Sequence, residues 1–191
     1  MPKSDRVLVV RLSAMGDVAM TVHAVAALRR AYPDVAITML TRRAWVPFFR
    51  VVERVDFLTL EGPNGEKGVA RVFRLAAEAA ASGVTHVADL HDVLRTKLLR
   101  MLLRLRGCRV AKIDKEKALK ERATRPTDKD LTPLRHSVER YADVLGTIGY
   151  PIELPKVTRH QRVLPAPFGE RTEGRWIGLA PFSKQEGKTY P

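Results

Sequence analysis

One cysteine, Cys108, stands in 191 residues. That excludes an intramolecular disulfide and fits a reducing cytoplasm. The simplest role for Cys108 is that of a small buried residue, not of a reactive thiol. No apolar run approaches the ~20 residues that a membrane-crossing helix needs. The opening MPKSDR leads straight into an apolar strand and lacks the core of a secretion signal. A soluble, cytoplasmic chain is the expectation. Histidine, cysteine and carboxylate residues nowhere cluster at ligand spacing, so neither a metal nor another cofactor is expected. The fingerprint G-x-G-x-x-G is missing, because the first loop holds only Gly16. Aromatic residues make up 6% of the chain, and no interleaved stacking platform for nucleic acid is visible.

Acidic residues are also in short supply, with 21 Asp and Glu against 34 Lys and Arg and a formal charge of +13. The excess is concentrated. Between Arg95 and Arg125 twelve Lys or Arg face three acids, Asp114, Glu116 and Glu121. Such a field attracts an anionic partner: nucleic acid, a phosphorylated substrate or an acidic membrane face. A solvated helix face followed by a loop explains the same run without any partner.

What is present reads as a packed α/β chain. A hydrophobic content of 45% excludes general disorder, and the length suffices for one sizeable core with a fragment of another. Val7-Leu8-Val9-Val10 is a buried strand finished by Arg11 and Leu12. Ser13-Ala14-Met15-Gly16 turns the chain, and Asp17 stands where a helix should begin. Val18, Val25 and Leu28 supply that helix's apolar face. Strands follow at 35–40, 57–60, 84–90 and 109–113, with a short apolar helix at 45–52 and longer ones at 69–81 and 93–105. Val72, Phe73, Leu75, Ala76 and Ala79 are expected to face inward on the first of these longer helices. Leu94, Leu98, Met101, Leu102 and Leu105 are expected inside on the second, with Arg95, Arg100 and Arg104 outside. Residues 114–135 read as a short helix and an exposed loop. A further helix begins at His136-Ser137, with Val138, Tyr141, Leu145 and Ile148 inside. Four prolines between 150 and 167 suggest an interdomain connection. Trp176 to Ala180 reads as a strand of a second α/β unit, cut short at Pro191.

Strand and helix alternate with short connections, which predicts a Rossmann-like parallel sheet with helices on both faces. Right-handed crossovers then gather the loops that follow the strands on one rim. Asp17 at that rim has two readings. It can cap the helix through free backbone N–H groups, or it can act as a base at a sheet edge.

The pieces Val7 to Asp17, Ala24 to Pro33, Ala88-Asp89-Leu90-His91, His136 to Tyr141 and Ile177 to Pro191 together resemble the bacterial heptosyltransferases. These are family 9 glycosyltransferases that add ADP-activated heptose to the inner core of lipopolysaccharide. The S-x-M/L-G-D loop after a strand is the most specific piece, and the resemblance thins from 114 to 132. It implies the N-terminal half of a GT-B glycosyltransferase. Residues 1–150 would be an acceptor-side domain, 151–174 a linker, and 175–191 the start of a donor-side domain, leaving this chain alone incomplete.

In such an enzyme Asp17 matches the catalytic base. Inverting transfer is a single displacement at the anomeric carbon, and the attacking hydroxyl must lose its proton to a nearby carboxylate. Ser183 and Lys188 match donor-binding positions near the ADP phosphates. Arg11, Ser13, Arg42, Arg43, His91, Arg95 and His136 are the acceptor-binding candidates on the rim, although His136 could equally cap its helix. The implied partners are an ADP-sugar and an anionic lipopolysaccharide-core acceptor, with peripheral contact at the inner membrane and no nucleic acid. Thr189-Tyr190-Pro191 departs from the family's histidine or arginine, tryptophan, proline. Residues 61–67 lack the dense arginines of some members, which leaves sugar and acceptor open. A dinucleotide-binding or basic nucleic-acid-binding domain is the competing reading.

Overall fold

The structure, a computed structural model, describes residues 5–61 and 68–154. Five strands form one sheet: β1 Arg6–Val10, β2 Ala36–Thr41, β3 Val55–Thr59, β4 His86–Asp89 and β5 Arg109–Lys112. Their order is β3-β2-β1-β4-β5 and every pairing is parallel. The Rossmann-like expectation holds. β1 lies at the centre, with Val7 opposite both Ile37 and His86, and Val10 opposite both Leu40 and Asp89. The β-branched opening run is buried on both sides because helices cover both faces of the sheet.

Alternation along β1 divides the core. Val7 and Val9 pack with helix α1 (Met15–Ala31), helix α5 (Ser137–Thr147) and Phe49 of a 3-10 helix at Arg43–Val51. Leu8 and Val10 pack with α2 (Gly68–Ala81) and α3 (Leu94–Leu105) on the opposite face. The remaining helix, α4 (Lys117–Ala123), buries no side chain. The chain just after α5 still packs on this unit. Tyr150 is buried, and its hydroxyl donates to the Asp5 carboxylate at 2.6 Å beside the start of β1. Burial, reinforced by that carboxylate, pushes the Tyr150 phenol up. Of the expected linker only 151–154 is described, and the proposed strand at 176–180 lies outside the described residues.

Three expectations need correction. α1 starts at Met15, with Ala14 at the N-cap, so Asp17 is the third helical residue and not the cap. Gly16 therefore sits inside the first turn, where an added Cβ would meet nothing within 4 Å. Phe73 on α2 is exposed and not inward. The largest change concerns α3. Leu94, Met101 and Leu105 face solvent, while Thr96, Leu99 and Leu103 are buried. Arg100, expected outside, reaches the buried Asp89 carboxylate at 2.5 Å and Asp92 at 3.3 Å. An unpaired carboxylate as deeply buried as Asp89 would cost several kcal/mol. Pairing it turns Arg100 inward, and the helix rotates with that side chain.

Candidate active site at the sheet switch point

β1 and β4 are neighbours whose following helices cover opposite faces of the sheet. This makes their C-terminal ends the topological switch point, where open α/β sheets leave a crevice. Backbone bonds carry the ladder past the strands: Leu90 N donates to Val10 O at 3.0 Å, and Arg11 N donates to Leu40 O at 3.0 Å. The two loops thus begin side by side.

Arg11 ties them together. Its side chain is nearly buried, donating through Nη1 to the Leu90 carbonyl and through Nη2 to the Asp17 carboxylate. The guanidinium carbon lies 5.9 Å from the centre of the Tyr141 ring, a distance at which the ring face favours a cation. The Tyr141 hydroxyl donates to the Asp17 backbone carbonyl at 3.4 Å, and Thr21 Oγ1 donates to the same oxygen at 3.0 Å. Burial raises the Tyr141 phenol above its ordinary value, with the adjacent Arg11 cation working against the rise and the Asp17 charge adding to it. The phenol stays protonated at neutral pH. Arg11 Nε is buried and finds no acceptor among the described residues.

Asp17 is held from one side and open on the other. Its side chain is 43% exposed while that of Arg11 is 11% exposed. The first helical bond of α1 runs from Val18 N to Ala14 O at 2.9 Å, and Ala14 offers no side-chain cap. The N–H groups of Met15, Gly16 and Asp17 precede that first bond, so the N-terminus of α1 is a setting that favours negative charge. The Ser13–Ala14 peptide that leads into this turn is cis.

The second loop is clamped by Asp89. Its Oδ1 accepts from His91 N at 3.0 Å and from Asp92 N at 2.9 Å, while Arg100 holds Oδ2. Lys115 Nζ donates to the Asp92 carbonyl at 2.8 Å. His91 then lies with Nε2 3.4 Å from Ser13 Oγ. Burial and the adjacent Arg11 cation lower its pKa from 6.5 to about 4. At neutral pH His91 is an uncharged imidazole, so it does not compete with Arg11 for the Asp17 carboxylate.

Four of the expected residues, Arg11, Ser13, Asp17 and His91, meet at this point. Arg42 and Arg43 are exposed after β2, and the Arg43 backbone N–H donates to the Glu61 carboxylate at 2.9 Å. Arg95 is exposed on α3 and lines a narrow cleft with Leu12, Leu60 and Leu99 on the other face of the sheet. His136 is the N-cap of α5: Nδ1 accepts from Val138 N at 3.4 Å, and Glu139 returns a bond to His136 N at 3.2 Å. The capping role is the one its geometry describes. Ser183 and Lys188 lie outside the described residues. Tyr141, Asp89 and Arg100 were missed as site-building residues. Asp89 carried a signal, as a lone acid closing an apolar strand. No group of three or more metal-ligating side chains occurs among the described residues.

The fold has a solved counterpart. The α/β fold is similar to that of a family 9 glycosyltransferase. The structure of that protein from Veillonella parvula superposes with a TM-score of 0.56 at 19% identity, covering 83% of this chain and 47% of its own. Two structures of the E. coli heptosyltransferase WaaC match with 20% identity. The one with ADP has a TM-score of 0.48 over 80% of this chain and 49% of its own, and the one with ADP-2-deoxy-2-fluoro heptose has a TM-score of 0.47. The chain thus spans about half the length of the solved structures it matches. No sequence-family profile and no curated protein sequence matches it. At this level of identity the likeness establishes the α/β architecture.

Proposed function

We propose that this chain is the acceptor-side part of an inverting glycosyltransferase of the heptosyltransferase kind. The full enzyme transfers a heptose or related sugar from an ADP-sugar to the inner core of lipopolysaccharide, at the cytoplasmic face of the inner membrane. Residues 1–150 form its acceptor-side domain, and Ser183 and Lys188 belong to the donor side. One observation carries this reading: a half-exposed carboxylate, Asp17, stands at the switch point with a buried arginine fixing one of its oxygens. The other oxygen is available to a ligand. The sequence motif around Asp17 and the shared fold support the same assignment.

The chemistry follows from the position. The acceptor hydroxyl attacks the anomeric carbon of the donor and passes its proton to Asp17. The bond to ADP breaks on the opposite side of the sugar ring, which inverts the anomeric centre. Arg11 positions the carboxylate without entering the reaction. Neutral His91 and Ser13 offer hydrogen bonds to sugar hydroxyls, while Arg42, Arg43 and Arg95 attract the acceptor's phosphates and carboxylates. The test is turnover. The full-length protein, given ADP-heptose and a heptose-free lipopolysaccharide core, should yield a heptosylated product by mass spectrometry. The 191 residues alone should bind acceptor weakly and transfer nothing. Absence of product with every ADP-sugar tried, from a folded full-length protein, would overturn the assignment.

A further inference from the structure

The outer face of α2 and α3 is built the wrong way round for a surface that meets only water. Leu94 is 83% exposed, Leu105 80%, Val69 61%, and Met101 and Phe73 53% each. On α3, the exposed positions 94, 101 and 105 fall within an arc of about 40° at 100° per residue, while Leu98 beside them packs against the core. The exposed leucines and methionine are thus one ridge along the helix and not scattered residues. Cations border the ridge on both sides: Lys97 and Arg104 on one, Arg95 and Arg106 on the other, all exposed. α3 contains no acid. Among the described residues, the one acid of α2, Glu78, is paired with the buried Arg71, and Asp92 ahead of α3 is paired with Arg100.

We infer that this face is a docking surface for an anionic lipid bilayer, with α3 lying in the plane of the interface. An apolar ridge flanked by long cationic side chains is the pattern of a helix that sinks its ridge among acyl chains while the charges reach the headgroups. Anionic headgroups supply the complementary charge. A second copy of the chain would bring the same cations against these, so the charge favours lipid over self-association. The inference rests on the membrane contact proposed above and gives it an address. The helix leaves the sheet at the same edge as the candidate site, so docking through α3 would hold the crevice close to a membrane-borne acceptor.

Vesicle sedimentation tests this without sugar chemistry. The chain should sediment with vesicles of phosphatidylglycerol and phosphatidylethanolamine, and much less with phosphatidylcholine alone. The triple variant Leu94→Ser, Met101→Ser, Leu105→Ser should keep its circular dichroism and lose binding by about tenfold or more. A variant with Lys97→Gln and Arg104→Gln should bind more weakly and release at lower salt. Equal binding by the triple variant and its parent would overturn the proposal, since the general positive charge would then account for everything. So would a parent that ignores anionic vesicles, or one whose serine variant changes only from dimer to monomer. Asp17→Asn should bind vesicles like the parent. If vesicle binding through the ridge survives while no ADP-sugar is turned over, the glycosyltransferase assignment fails and the docking surface stands.

Discussion

Two helices leave the same sheet edge and treat their side chains in opposite ways. α1 buries a broad apolar stripe, Val18, Val22, Val25 and Leu28, and keeps its one first-turn acid, Asp17, at the rim. α3 sends a cation inward, Arg100 to Asp89, and turns leucines out to solvent. The difference arises in the strands beneath them. β1 ends in apolar residues, so α1 is set by hydrophobic packing. β4 ends in a buried carboxylate, so α3 is set by the need to neutralise it. The apolar face of a helix in sequence is therefore its buried face only where nothing beneath it carries charge.

Asp89→Ala breaks the comparison most directly. It leaves the half-buried Arg100 with only Asp92 as a partner and removes the two backbone bonds that clamp His91 and Asp92. Breaking a fully buried pair costs about 3–5 kcal/mol; with Arg100 partly exposed and still beside Asp92, about 2–3 kcal/mol is expected, and chemical denaturation should record it. Methyl-group packing on α3 sharpens the contrast next. Leu99→Ala should cost about 2–4 kcal/mol, because Leu99 is 3% exposed. Leu94→Ala on the same helix should stay within about 0.5 kcal/mol. Similar losses at both would mean that the rotation of α3 is misassigned.

The smallest effect is electrostatic. His91 titrates near 4 when folded and near 6.5 when exposed. The unfolded chain therefore binds more protons between those values, and stability contributed by neutral His91 is lost as pH falls from about 6.5 to about 4. With partial exposure discounted, the loss is on the order of 1 kcal/mol. The imidazole proton resonances should show one histidine with a midpoint near 4, and that signal should vanish in His91→Asn. A midpoint near 6.5 would place the ring in water, away from Arg11 and Ser13.

Much of the fold could be read from residues alone. The run Val7–Val10, the alternation of strands with helices and the buried face of α5 all follow from local periodicity. Local pattern also indicated the loops that meet at the rim, because parallel topology places every strand end there. The differences come from side-chain pairing that apolar periodicity does not encode. α1 starts at Met15 with Ala14 as its N-cap, and the Asp17 carboxylate is paired with Arg11 and does not cap the helix. Nothing near Leu94 or Met101 in sequence says that Asp89 will claim Arg100. Tyr141 looked like an ordinary core residue, and its place beside Arg11 depends on α5 crossing over α1, 124 residues after Asp17.

The central claim is that Asp17 is a base held ready by Arg11. The most direct measurement is the rate of sugar transfer by full-length Asp17→Asn at saturating donor and acceptor, with acceptor affinity and thermal midpoint recorded alongside. Asparagine keeps the size and can still accept from Arg11, so the fold and acceptor binding should persist. kcat should fall by about 10²–10⁴-fold, the usual worth of a positioned general base. An unchanged kcat in a folded variant would contradict the account and leave Asp17 as a partner for Arg11 alone.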